Sequence, residues 1–181
     1  MSIHLITGCM FSGKTSELIK VAKMNKLLNK NVLIINYDKD TRYSDDNNVI
    51  STHEGIKFEC VPCAQDLLFF FKNKDIYKNA DVICINEGQF FDRLVDFCSS
   101  ACGEGKDVYV CGLDGDYLMR PFGEILNLIP MCDSYTKLHA LCMTCKNGTY
   151  ASFTKKLTKS QNLVEIGSTD IYIPVCRKCY N

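Results

Sequence analysis

The sequence predicts an open α/β fold, a mostly parallel sheet with helices on both faces, followed by a small C-terminal unit of different character. Three observations predict it. Short runs rich in Val and Ile alternate with amphipathic stretches up to about residue 140, the pattern of strands buried on both faces and joined by right-handed crossovers. A glycine-rich loop ending in Gly-Lys-Thr separates the first apolar run from the first amphipathic stretch. Two Cys-x-x-Cys pairs lie close to the C-terminus, where no periodic helix is found.

Taken in order, the strands are expected at residues 3–7 (IHLIT), 31–37 (NVLIINY), 80–86 (ADVICIN) and 106–113 (KDVYVCGL). Each is an apolar run of strand length bounded by polar residues. The first helix is expected over 14–30, with Leu18, Val21, Ala22 and Leu28 on one side. Further helices are expected at 64–73 and at 91–106, the latter ending at a glycine stop. Residues 42–55 are polar, carry turn formers and lack a period, so a loop is expected there. The change of composition near residue 141 divides the chain into a nucleotide-binding unit, 1–140, and a metal-braced unit, 141–181.

Lys and Arg together number 21, as do Asp and Glu. Such a chain sets up no long-range positive field, which argues against a bulk nucleic-acid or acidic-membrane binder. No apolar run approaches the roughly 18 to 20 residues that span a bilayer, and the first residues do not read as an export signal. A cytoplasmic protein is expected. Its twelve cysteines are then read as reduced thiols rather than a disulfide scaffold.

Residues 8–15 (Gly8, Cys9, Met10, Phe11, Ser12, Gly13, Lys14, Thr15) match Gly, four residues, Gly, Lys, Thr. The glycines let the backbone curl so that successive N–H groups and the following helix N-terminus converge on phosphate oxygens. Lys14 would reach the β- and γ-phosphates, and Thr15 would offer its hydroxyl to Mg²⁺. A strand before the loop and a helix after it give the motif its required context.

The run at 80–86 ends in Asn86 and Glu87. A strand end at the C-terminal edge of such a sheet delivers its side chains beside the phosphate loop. Glu87 can there hold Mg²⁺ through water or accept the proton of an attacking hydroxyl; the bland alternative is an acid satisfying free N–H groups at a helix start. The acid usually found on the metal side would stand at position 86, where this chain has an amide that brings no charge.

Cys142 and Cys145, with Cys176 and Cys179, form two knuckles whose four thiolates can close a tetrahedral site, the arrangement of structural zinc. The long loop between them is a candidate lid, with the metal supplying the rigidity a small core lacks. Cys60 and Cys63 share the spacing but have no partner pair, so packing, redox chemistry and chance placement all remain open.

Six stretches in order (GCMFSGKTSEL, DTRYS, NEGQFF, CGLDGDYLMRPFG, KLHALCMTC, VCRKCY) resemble the zinc-containing thymidine kinases shared by cells, bacteria and poxvirus-like viruses. The resemblance covers essentially the whole chain. It implies a RecA-like P-loop sheet with a zinc-tethered lasso over the nucleoside. ATP would be held by the 8–15 loop, by Asp40, Thr41 and Arg42, and by Asn86, Gly88 and Gln89. Glu87 matches the residue that accepts the 5′-hydroxyl proton. Met10, Leu113 and Thr154 match positions lining the base pocket, Tyr117 the stacking ring, Leu163, Val164, Glu165, Ile166 and Gly167 the lasso, and Tyr172 the lasso tyrosine, also on the substrate side. Departures are Cys9 in place of a common Pro, Asn86 for Asp, Asp116 for a small hydroxyl residue, and Glu165 for an apolar one.

What the resemblance implies is transfer of the γ-phosphoryl group of ATP to thymidine, and to deoxyuridine, with Mg²⁺ and structural Zn²⁺ as cofactors. It further implies dTTP as feedback inhibitor and a homotetramer, with neither nucleic acid nor membrane as partner. Two rivals compete. A nucleoside monophosphate kinase normally spends several arginines on two sets of phosphates, and this chain has four in all, Arg42, Arg93, Arg120 and Arg177. A DNA-binding ATPase would use Lys155, Lys156 and Lys159, which a solvated loop explains more simply.

Overall fold

The computed structural model describes residues 1–39, 48–51, 55–64, 66–71, 73–158 and 170–181. The chain begins with β1 (Ser2–Gly8), turns through the glycine-rich loop into α1 (Lys14–Leu27) and returns as β2 (Val32–Tyr37). A hairpin of β3 (Val49–Ser51) and β4 (Lys57–Glu59) precedes β5 (Val61–Cys63). Two short helices, α2 (Leu67–Phe71) and α3 (Asp75–Lys78), lead into β6 (Val82–Ile85), α4 (Leu94–Gly103) and β7 (Asp107–Gly112). After a 3₁₀ stretch at Ile125–Met131 comes β8 (Ser134–Leu138). The remainder folds as two antiparallel ribbons, β9 (Ala140–Leu141) with β10 (Tyr150–Ala151) and β11 (Phe153–Lys156) with β12 (Tyr172–Val175), closed by α5 (Arg177–Tyr180).

The central sheet has the order β5-β2-β6-β7-β1-β8 and is parallel at every pair. Because side chains alternate across a strand, each strand feeds two cores. Leu5, Leu33, Ile35, Ile83, Ile85, Val108 and Val110 pack on one face against α2, α3 and α4, through Leu67, Phe71, Tyr77, Leu94 and Phe97. On the other face Ile6, Ile34, Val82, Cys84 and Cys111 meet Leu18, Ile19 and Ala22 of α1 and Ile50 of the hairpin. Helices therefore cover both faces, as the alternation predicts. Burying a side chain the size of Phe97 or Leu94 stabilises by about 2 kcal/mol.

The four apolar runs all become strands, with ends moved by a residue or two. The edge strands β5 and β8 are additions. β8 is exposed at four of its five residues and β5 is only partly buried, so neither carries a full apolar run, and Pro62 is tolerated in β5 because an edge strand need not donate on both sides. Residues 49–51, inside the segment expected to be a loop, are a strand whose Ile50 is buried. The first helix stops three residues early: Asn29 takes a left-handed conformation, Leu28 is exposed, and Ile19 rather than Leu28 joins Leu18 and Ala22 in the core. The expected helix at 64–73 is only α2. Cys60 and Cys63 fall in the two different cores on opposite faces of the sheet, which sets their side chains apart. Burial pushes the Cys63 thiol up to about 12.

Candidate active site at the C-terminal edge of the sheet

β1 ends in Gly8, whose backbone runs so close to the Leu138 carbonyl that a Cβ would collide with it. Gly13 enters α1 with φ +83, the left-handed region that favours glycine. No side chain caps α1, so its first N–H groups point into the loop, a ready anion cradle. Lys14 is buried, its ammonium donating to the Cys9 carbonyl at 2.7 Å, and Ser12 donates to the same oxygen at 2.8 Å. Met10 spends its N–H on Thr154 Oγ1, 3.0 Å away, and Cys9 Sγ donates to the Ala151 carbonyl. The loop is thus tied to the C-terminal unit on its outer side.

Two strands away, β6 runs out into Asn86, Glu87 and a 3₁₀ turn at Gly88–Phe90. Thr15 Oγ1 donates to Asn86 Oδ1 at 3.2 Å, joining the phosphate loop to this strand end. Glu87 takes φ 56 and ψ 43, an unusual conformation for a residue with a side chain and one that clusters at functional sites. Gln89 is held at both ends: Nε2 donates to Glu87 Oε2 at 2.5 Å, and Oε1 accepts the Leu113 N–H at 2.9 Å. The close fit explains a glycine, because a Cβ on Gly112 would run into Gln89 Oε1. Tyr37 stacks on Phe90 with centroids 4.6 Å apart, bracing the same turn.

Asp116 is buried and holds its own turn, accepting from the N–H groups of Leu118 and Arg120 and pairing with the Arg120 guanidinium at 2.8 Å. Tyr117 lies under Lys156, whose ammonium also faces Tyr172. Lys155 donates to the carbonyls of Cys179 and Tyr180. These two lysines are structural, not part of a solvated loop; Lys159 lies outside the described residues. So do Asp40, Thr41, Arg42 and the segment Leu163, Val164, Glu165, Ile166 and Gly167. A cavity of about 210 Å³ abuts the phosphate loop beside Cys9, Asp114, Asp116, Lys137 and Thr154, but neither Glu87 nor Leu113 lines it.

The sulfur atoms of Cys142, Cys145, Cys176 and Cys179 lie within 4.8 Å of one another. Cys145 Sγ is 3.4 Å from Cys179 Sγ and 3.7 Å from Cys176 Sγ; a tetrahedron with Zn–S near 2.3 Å sets its sulfurs about 3.8 Å apart. Backbone N–H groups of Cys145 and Cys176 point at Cys142 Sγ. Desolvation pushes the Cys142 thiol up, but these donors and that of Thr144 outweigh it and bring it down to about 6, the thiolate form a metal takes. The donor set fits a structural zinc site. Cys142 belongs to a small core with Ala140, Ala151, Val175 and, from the phosphate loop, Cys9. Among the described residues no helix is long and apolar enough to cross a membrane.

The bonds of Asn36 and Cys111 to the buried Asn86, and those of Gln89 to Glu87 and Leu113, are features of the candidate site that sequence reasoning missed. Their only signal is polar residue types within apolar strand ends, which does not say what they face.

A family model described as thymidine kinase matches residues 1–180. The thymidine kinase of Choristoneura biennis entomopoxvirus is 41% identical over 183 residues, covering 100% of this chain and 97% of that one. Thymidine kinase 1 of Dictyostelium discoideum is 41% identical over 183 residues, covering 99% of this chain and 77% of its own. Thymidine kinase a of Arabidopsis thaliana is 44% identical over 182 residues, with coverages of 99% and 74%. With a phosphate loop, an acid-bearing strand end and a four-thiol cluster gathered at one end of a parallel sheet, and with matches along its whole length, the chain belongs to the thymidine kinase family.

Proposed function

We propose that this chain transfers the γ-phosphoryl group of ATP to the 5′-hydroxyl of thymidine, and of deoxyuridine, giving the monophosphate and ADP. The observation that carries the reading is the convergence of three parts. Thr15 of the phosphate loop reaches Asn86, the neighbour of Glu87, while Met10 of the same loop reaches Thr154 of the C-terminal unit. Donor cradle, acid and acceptor-side wall share one edge.

In this reading the 8–15 loop and the α1 N-terminus bind the triphosphate, and Lys14 swings from the Cys9 carbonyl to a phosphate oxygen, offsetting charge as it moves to the acceptor. Glu87, oriented by Gln89, takes the 5′-hydroxyl proton. Mg²⁺, when bound with the nucleotide, would screen the phosphates, and Thr15, whose hydroxyl donates to Asn86, is the residue that would hold it. Met10, Leu113, Tyr117, Thr154 and Tyr172 line the nucleoside, with the lasso at 163–167 reading the thymine edge and Asp40, Thr41 and Arg42 on the phosphate side. Zn²⁺ on the four cysteines braces 141–181 as a unit distinct from 1–140. Feedback by dTTP, a homotetramer and a cytoplasmic location are supported by the family alone.

The test is incubation with γ-labelled ATP and, separately, thymidine, deoxyuridine, deoxycytidine, dTMP or DNA. Label on thymidine and deoxyuridine is the expected result. Label confined to the monophosphate, or released only as phosphate when DNA is present, overturns the reading. Glu87→Gln should lower kcat by about 10²- to 10⁴-fold while leaving ATP affinity intact.

A further inference from the structure

We propose that Asn36 and Cys111 are positioning residues that lock the Asn86 amide with its oxygen on the Thr15 hydroxyl, so that a neutral side chain aims Thr15 at the nucleotide's divalent cation. The inference rests on the preceding reading only in taking ATP to bind the 8–15 loop.

β2 and β6 are neighbours with Ile35 opposite Ile85, so Asn36 and Asn86 leave the sheet side by side. Both are buried, at 4% and 2% exposure. Asn86 Nδ2 donates to Asn36 Oδ1 at 2.8 Å, while the backbone N–H of Asn86 stays on the Ile35 carbonyl. From β7, on the other side of β6, Cys111 Sγ donates to Asn86 Oδ1 at 3.1 Å. Burial holds Cys111 as a thiol, and sulfur is a poor acceptor, so its useful bond is the one it donates. The amide is therefore gripped from both adjacent strands, its nitrogen toward Asn36 and its oxygen toward Cys111 and Thr15.

That orientation matters because the two ends of an amide have nearly the same shape and opposite hydrogen-bonding character. With the oxygen inward, Thr15 gives its proton to Asn86 and turns its lone pairs outward, where a cation accepts them. With the nitrogen inward, Thr15 would spend a lone pair on Asn86 and present its hydrogen to the cation. A side chain that only has to accept one hydroxyl proton does this without a negative charge, provided something fixes which end faces the hydroxyl. Partners behind a metal-binding group typically change metal affinity 10- to 100-fold when removed.

Mn²⁺ bound with ATP, titrated by electron paramagnetic resonance, tests this without any acceptor nucleoside. Asn36→Leu removes the acceptor for Asn86 Nδ2 and should weaken Mn²⁺ binding in the ATP complex about 10-fold, with metal-free ATP affinity unchanged. Asn36→Asp keeps an acceptor there and should bind Mn²⁺ no more weakly than the parent. Cys111→Val, which loses the donor and stays apolar, should weaken Mn²⁺ binding, while Cys111→Ser, which keeps a donor, should not. Parent-like Mn²⁺ affinity in Asn36→Leu, equal losses in Asn36→Leu and Asn36→Asp, or an equal loss of metal-free ATP binding each overturns the proposal. Should Asn36→Leu fail to fold, the Cys111 pair decides it: equal affinities in Val and Ser variants reject the lock. A chain that fails to label thymidine yet shows these Mn²⁺ differences would refute the proposed substrate and leave the lock standing.

Discussion

Gln89 shows how far a single side chain can reach. Its amide spans from the Glu87 carboxylate to the N–H of Leu113 just after β7, so one residue ties the acid to the next strand end. Gln89→Met has similar length and neither bond. It should lower kcat by about 10- to 100-fold, because a base held loosely in angle loses most of its orientation advantage, while KM for ATP and thymidine stays near the parent value. Steady-state kinetics check it; a raised KM with unchanged kcat would mean Gln89 serves binding instead. At this scale Lys14 and Glu87 stood out as candidates by a loop pattern and by a place just after an apolar run, and the four-cysteine cluster was readable because its spacing is local. Asn36 and Cys111 were not, since they are 50 and 25 positions from Asn86 and look like ordinary strand residues until the strands are ordered.

The β1–β7 pair is fastened at its start by a cluster on Asp107. The Met1 ammonium lies 3.0 Å from this carboxylate, Ser2 Oγ 2.8 Å and Lys30 Nζ 3.1 Å. Burial pushes the Asp107 carboxyl up, but these three donors prevail and hold it at about 2, against an ordinary 3.8. A carboxyl with a depressed folded value adds stability that is present above its unfolded value and lost as pH falls through the folded one. Asp107→Asn should therefore cost about 1–2 kcal/mol at pH 7, and the gap to the parent should close between pH 4 and pH 2. Urea titrations across that range measure it, and a gap constant with pH would assign the loss to packing. The strands legible in the sequence are those buried on both faces. β5 and β8 escaped because an edge strand is half wet, and Val49–Ser51 because three residues are too short to show a period.

Across the whole molecule, the thiol cluster and the phosphate loop share a core: Cys9 packs with Ala140, Cys142, Ala151 and Val175, and Met10 is bonded to Thr154. Stripping the cluster of its metal with a chelator should lower Tm on the order of 10 °C, since metal binding there is folding energy. It should also weaken ATP binding, because Cys142 of the cluster packs in the same core as Cys9 of the phosphate loop. Calorimetry of stripped and zinc-restored protein checks both; unchanged ATP affinity would show that the two parts fold independently. The linear chain settled which elements form and which chemical groups are on hand, because helix and strand periodicity, a phosphate-loop pattern and metal-ligand spacing are properties of near neighbours. Tertiary structure alone decided which faces those groups present and what stands behind them, the Asn36–Asn86–Cys111 grip and the Gln89 brace included, because a hydrogen bond needs approach within about 3 Å and that approach is made by strands placed side by side from distant parts of the sequence.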